Sequence, residues 1–348
     1  MDKVRIGFIG CGSHSTENLY PCLRYMTDKA ELVAVCDLNS DLAKRNAKWF
    51  GFEKWYTDVE DLLKRERLDA VFIVGPPRMQ TSLGTMCLQA GVHIFVEKPP
   101  AISAREAENL MDTSREAGRF VMVGFMKRFA VGYRLAKQIT QQPEFGEVVH
   151  IVTKFANGPY GSIWGIPSPS KSYLIGQAVH HFDLVRYFMG EVTSVYAKLF
   201  ELADKKFSFS VLPTFERERT GVMNLNSCQS WAKIDEYVEI TGDEAFIFVD
   251  DMATHVRYYP KWDWIAPEGF TAANLGNFWE VHHLPSRWNQ SRYLRGYYGE
   301  VEHFIDSVLR KERPKPDITD GYKALKIAEA VWESANTEKT VELYYARN

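Results

Sequence analysis

The run Val4-Arg5-Ile6-Gly7-Phe8-Ile9-Gly10-Cys11-Gly12-Ser13-His14-Ser15 decides the fold. A short apolar segment breaks into two glycines one residue apart, followed three positions later by a small residue, the G-x-G-x-x-S form of a dinucleotide-binding turn. Gly10 permits a tight strand-to-helix turn, and Gly12 lets the backbone approach a pyrophosphate with no Cβ in the way. Ser13, His14 and Ser15 then open a helix whose free N–H groups meet phosphate, Ser15 being small enough for close packing of helix on strand. A second apolar run, Glu31–Cys36, ends at Asp37, where an acidic residue takes the ribose hydroxyls. The Asp37 carboxylate repels a 2'-phosphate and Leu38 after it offers no cation, so NAD is expected rather than NADP.

Outward from this turn, short apolar runs alternate with longer amphipathic ones, as in a parallel sheet covered on both faces. Strands are expected at Val4–Ile9, Glu31–Cys36, Ala70–Val74, His93–Val96 and Phe120–Gly124. Helices are expected at Asp41–Phe50, Val59–Arg65, Ser82–Ala90 and Ser103–Ala117, the last opened by Ser103 with Glu106 three residues on. The fold class is α/β: a doubly wound Rossmann domain over residues 1–125 and a second α/β domain over 126–348. In the second part β-branched and aromatic runs at Glu147–Phe155, Val192–Phe200, Tyr237–Thr241, Ala245–Val249 and His255–Tyr259 suit an antiparallel or mixed sheet. Boundaries from Asp204 to Trp288 are loose, and two helices, Tyr298–Arg310 and Gly321–Ser334, close the chain.

Bulk properties narrow the function. With 348 residues, two domains are expected; 42 Lys and Arg against 45 Asp and Glu, a net charge of −3, give no basic surface for nucleic acid. No apolar stretch reaches membrane-spanning length, and the N-terminus lacks the pattern of a secretory signal, so a cytoplasmic protein is expected. Cys11, Cys22, Cys36, Cys87 and Cys228 form no C-x-x-C pair, which suits reduced thiols. His282-His283 are adjacent and share no ligand face, so no metal is assigned.

Val96-Glu97-Lys98-Pro99-Pro100 places a lysine at a strand's C-terminal edge, where an open α/β sheet binds ligands. Together with Gly10–Ser15, Asp37, Gly75-Pro76-Pro77, Val123-Gly124-Phe125 with Arg128, and Gln177-Ala178-Val179-His180-His181-Phe182-Asp183 with Gly190, this pattern resembles the Gfo/Idh/MocA oxidoreductases. The resemblance implies a large open, mostly antiparallel sheet in the second domain and homodimers or homotetramers formed through it. It implies NAD(P) as cofactor, with Pro76, Pro77, Glu97 and Lys98 joining the cofactor site, and a sugar, glycoside or cyclic polyol as substrate. It also makes Lys98 and His180 the catalytic pair. Lys98 holds the hydroxyl and stabilises a developing alkoxide, and an imidazole suits proton removal near neutral pH. Arg128, Trp164, His181 and Asp183 are candidate substrate contacts; Asp183 either orients the His180 imidazole or braces the domain through Arg186.

Two positions depart from the family pattern. Many members carry an acid one turn before the histidine, where this chain has Gly176, and a frequent histidine after the proline pair is Gln80. Either another group such as His181 substitutes for the acid, or the reaction differs from simple dehydrogenation. Three functions follow: hydride transfer at a ring hydroxyl, NAD-retaining glycoside cleavage by oxidation and elimination, or dinucleotide sensing without turnover. Retention of Lys98 and His180 disfavours the third. Trp164, Trp231, Trp262, Trp264, Trp279 and Trp288 offer aromatic faces to sugar rings, most of them expected in core or subunit contacts.

Overall fold

A computed structural model describes residues 3–261, 277–280 and 290–345. His282, His283, Trp262, Trp264 and Trp288 lie outside the described residues. The chain divides into two compact units, Met1–Phe129 with Gly296–Lys326, and Ala130–Arg295 with Ile327–Asn348. The late stretch Gly296–Lys326 thus groups with the first unit.

The first unit holds a six-stranded sheet of β1 (Val4–Ile9), β2 (Ala30–Cys36), β3 (Lys54–Tyr56), β4 (Ala70–Ile73), β5 (His93–Glu97) and β6 (Val121–Gly124) in the order 3-2-1-4-5-6. Neighbouring strands pair in parallel throughout. Strands buried on both faces read as unbroken apolar runs, which is why all but β3 are visible in the sequence. β3 is a three-residue edge strand with exposed Lys54 and Trp55, too short and too polar to show. Side-chain caps set the helix starts: Asn39 accepts from the Asp41 and Leu42 N–H groups, Asp58 from Asp61 and Ser103 from Glu106. Each such cap contributes about 1 kcal/mol. The helix expected from Ser82 begins five residues earlier, at Pro77, whose missing N–H costs nothing in the first turn.

Helix Tyr297–Arg310 joins this unit through its apolar face, where Val301, Phe304, Ile305 and Val308 enter the core of Phe8, Phe72 and Phe95. Phe304 meets Phe72 edge-on at 5.2 Å between ring centroids. Burying these side chains, each contributing about 1.5–3 kcal/mol, ties the late segment to the early sheet.

The second unit carries a nine-stranded sheet in the order β14-β13-β12-β11-β7-β10-β9-β8-β15. Its strands are β7 (His150–Ala156), β8 (Val192–Ala203), β9 (Lys206–Phe215), β10 (Thr220–Asn226), β11 (Asp235–Thr241), β12 (Phe246–Asp250), β13 (His255–Tyr259), β14 (Asn277–Glu280) and β15 (Val341–Glu342). Among the described residues only β7 and β10 pair in parallel, so the sheet is mixed and mostly antiparallel, as expected. Helix Val179–Met189 is buried along nearly its whole length. Cys11, Cys22, Cys36 and Cys87 are buried thiols and Cys228 is exposed; none is in a disulfide. No helix among the described residues is long and apolar enough to cross a membrane.

Candidate active site

The glycine turn is sterically determined at one position and open at the other. Gly10 has φ +102°, and a Cβ there would lie 2.0 Å from the Val74 carbonyl oxygen, so no other residue fits. At Gly12 a Cβ would meet nothing within 4 Å, the free approach a phosphate requires. Asp37 is held in place by two backbone donors, the Cys11 N–H to Oδ2 at 2.7 Å and the Asn39 N–H to Oδ1 at 2.8 Å. A cavity of about 510 Å³ opens beside the turn, its wall including Gly10, Gly12, Asp37, Leu38 and Pro76. Leu38 is 93% exposed, an apolar side chain left at the rim.

Met79, Leu83 and Met86 complete the apolar side of this cavity, together with Thr57, Asp58 and Val59. The sequence motifs do not reach these residues, although the i, i+4, i+7 spacing of the first three marks one face of a helix. Cys36 also lines the wall, and burial pushes its thiol up to about 12, which keeps it neutral and unreactive. The residues present fit a dinucleotide: a bare-backbone turn, a fixed carboxylate for ribose hydroxyls and an apolar slot for a base. Ser15 is buried and fills the contact between helix and strand, while Ser13 is exposed.

Lys98, at the end of β5, is half-buried and is held through its neighbours. Gln80 clamps the strand end: its Oε1 accepts from the Glu97 N–H at 2.7 Å, and its Nε2 donates to the Glu97 and Pro99 carbonyls at 2.9 and 3.1 Å. With only 1% exposure, Gln80 is a buried amide using donor and acceptor in one direction, a larger role than its sequence position suggested. Pro77, at the first position of the Gln80 helix, is buried. Glu97 accepts from the Lys98 N–H at 3.1 Å and pairs with His14 Nε2 at 3.0 Å, linking β5 to the glycine-turn helix. Gly124 makes room for this carboxylate, since a Cβ there would fall 3.1 Å from Glu97 Cδ.

Near this strand end lies a group that no sequence motif singles out. Glu300 is fully buried on helix Tyr297–Arg310, and neither carboxyl oxygen has a hydrogen-bond partner among the described residues. Burial first, then the Glu97 carboxylate, raises its pKa well above the usual carboxylate range, with Lys98 offsetting only part, so Glu300 stays protonated. An unfolded Glu300 ionises near 4.5 while the folded one keeps its proton. Above that pH the folded state holds more protons than the unfolded, so wild-type stability falls by up to about 1.4 kcal/mol per pH unit. Glu300→Gln lacks this slope. The Tm of the variant relative to wild type is therefore expected to rise from pH 5 to pH 8 in thermal denaturation, and a constant difference contradicts a protonated Glu300.

In the second unit, His180 is 4% exposed near the start of helix Val179–Met189, directly after a π-turn at Leu174–Ala178. Such insertions recur at functional sites. His181, expected at the substrate, is instead fully enclosed: its Nε2 lies 3.8 Å from Glu236 Oε1 and its ring 5.0 Å from that of Phe155. Tyr133 donates to the same Glu236 oxygen at 2.5 Å. Adjacent helix positions lie about 100° apart, so the two histidines face different surroundings. Asp183 lies 3.8 Å from Arg186, which also binds Glu191 at 2.9 Å.

Arg128 is ion-paired with Asp320 at 3.1 Å. Trp164 is half-buried and has φ +54°, an uncommon backbone state for a bulky residue. Trp231 and Trp279 are exposed, and Trp231 donates to the Pro159 carbonyl at 3.2 Å. Among the described residues no three His, Cys, Asp or Glu side chains are placed to hold a metal.

A dinucleotide cradle on a 3-2-1-4-5-6 sheet, with a lysine at the end of β5 and a separate mixed-sheet unit, defines a nucleotide-dependent oxidoreductase. The chain belongs to the Gfo/Idh/MocA family: residues 4–125 match its "Oxidoreductase family, NAD-binding Rossmann fold" and residues 137–343 its "Oxidoreductase family, C-terminal alpha/beta domain". It is thus an oxidoreductase with NAD as cofactor. It is 25% identical to myo-inositol 2-dehydrogenase of Thermotoga maritima, over 98% of each chain. It is 29% identical to D-glucoside 3-dehydrogenase of Escherichia coli K12, over 98% of this chain and 97% of that one. A dehydrogenase structure from Chromobacterium violaceum shares the fold, with a TM-score of 0.88 at 24% identity over 97% of each chain.

Proposed function

We propose that this protein oxidises a secondary ring hydroxyl of a sugar, glycoside or cyclic polyol, with NAD as the hydride acceptor. The observation that carries the reading is the Gln80 clamp, which fixes Lys98 at the end of β5 in the unit that binds the dinucleotide. The activities named for the inositol and glucoside dehydrogenases support the substrate class. Gly10, Gly12, Asp37 and the Met79 face hold the cofactor, which supplies the hydride acceptor when bound. Lys98 donates a hydrogen bond to the substrate oxygen and stabilises the negative charge that develops there as the hydroxyl proton leaves. His180 takes the hydroxyl proton.

Incubation with NAD and a panel of inositols, hexoses and methyl glucosides, followed by absorbance of the reduced cofactor, tests this reading. Net reduction is expected. Binding of NAD with no reaction on any member overturns it. A second reading, glycoside cleavage with retained NAD, is favoured by Gly176, which offers no carboxylate one turn before His180. It predicts released aglycone without net reduction in the same assay.

We propose NAD over NADP on the same footing, from the charge of Asp37. Asp37→Asn removes that charge and leaves one oxygen, which keeps one of the two backbone donors, the Asn39 N–H to Oδ1 or the Cys11 N–H to Oδ2. The ratio of NADP to NAD affinity is expected to rise at least about tenfold, roughly the 1.4 kcal/mol of one charge interaction. An unchanged ratio in paired titrations rules out the assigned contact.

A further inference from the structure

We infer that Tyr160 is a positioning residue that sets which of two adjacent histidines the helix presents to substrate. The inference rests on the proposed role of His180 and adds a residue to it. Gly176 lies in the π-turn Leu174–Ala178, four residues before His180. A Cβ at Gly176 would lie 2.6 Å from the Tyr160 hydroxyl oxygen, 3.0 Å from Ile163 Cδ1 and 3.4 Å from Trp164 Cζ3. The Tyr160 hydroxyl therefore occupies the space that a side chain at 176 would take. Its ring packs edge-on against Tyr173 at 5.5 Å, just before the turn.

Tyr160 is itself held. It is 9% exposed, and its N–H donates to the Lys205 carbonyl at 2.9 Å. Further along the same loop, the Ile163 N–H donates to Ser172 Oγ at 3.3 Å. One anchored side chain thus meets the helix at Tyr173, just before the inserted turn, and at Gly176 within it.

A π-turn contains one residue more than the α-turn it replaces. Relaxing it to α would rotate the following helix by about 100°, the angle separating His180 from His181. The contact at Gly176 holds the rotation at which His181 faces Glu236 and Phe155, leaving His180 for the reaction. Gly176 is glycine because the hydroxyl needs the room.

The test compares wild type, Tyr160→Phe, Gly176→Ala, their double variant and His180→Ala on the panel, with active sites counted by NADH fluorescence titration. Tyr160→Phe keeps the ring and loses the hydroxyl, so it is expected to fold and bind NADH as wild type does. Its kcat should fall about 10- to 100-fold, as for an ångström-scale misplacement of a catalytic group, with the cofactor Kd unchanged. Gly176→Ala should cause at least as large a fall in the wild-type background and a smaller one in the Tyr160→Phe background, because the hydroxyl it strikes is gone. Wild-type kcat in Tyr160→Phe with an inactive His180→Ala overturns the role of Tyr160 alone, as does strict additivity of the two substitutions. Full activity in His180→Ala, or a wild type inert on the whole panel, overturns the functional reading and this inference with it.

Discussion

Lys98→Met is expected to lower kcat on the best substrate of the panel by about 10²–10³, the loss typical of one donor aimed at a developing oxyanion. Methionine keeps much of the length and apolar stem of lysine and removes the ammonium. The strand end is held by Gln80 through the Glu97 and Pro99 backbone, so the substitution leaves the local chain path in place. Lys98 is not part of the cavity wall formed by Gly12, Asp37 and Met79, and NAD affinity should stay within about twofold, under 0.5 kcal/mol. Single-turnover rates and NADH titration on the same preparation check both halves. Turnover near the wild-type level would falsify the role given to Lys98.

His180→Ala should lose about 10²–10⁴ in kcat, the range for removing a general base. Alanine creates a small cavity at a site 4% exposed, and helix Val179–Met189 is otherwise anchored by Leu184, Val185 and Phe188, so the fold survives. The discriminating measurement is addition of free imidazole. Partial recovery of turnover is expected, since a diffusible base can enter the vacated space. His181→Ala offers a contrast: its side chain is fully enclosed beside Glu236, so it should lower Tm more than it lowers kcat in the molecules that remain folded. A His180→Ala enzyme as fast as wild type would assign the proton to another group.

Some structural features leave a local mark and others do not. β9 is legible in principle, because Phe207, Phe209, Val211, Pro213 and Phe215 alternate inward along it. Pro213 obscures it, since proline lacks a ladder donor and argues against a strand. The first turn of the helix from Pro77 is hidden for the related reason that a proline pair looks like a loop. Glu300 has no local signature at all: a glutamate in an amphipathic helix normally faces water, and only the packing of Phe304 on Phe72 and Phe95 turns it inward.

What the chain alone determined was the set of features encoded by neighbours a few residues apart. The conformation required of Gly10, the open backbone of Gly12, the apolar strands, the capped helices and the acid at Asp37 all follow from local sterics and period. Tertiary structure decided the rest: the return of helix Tyr297–Arg310 to the first unit, the Gln80 grip on Glu97 and Pro99, the enclosure of His181, and the Tyr160 hydroxyl over Gly176. Each depends on burial or hydrogen bonding between segments far apart in sequence, and such contacts exist only once the intervening chain has folded.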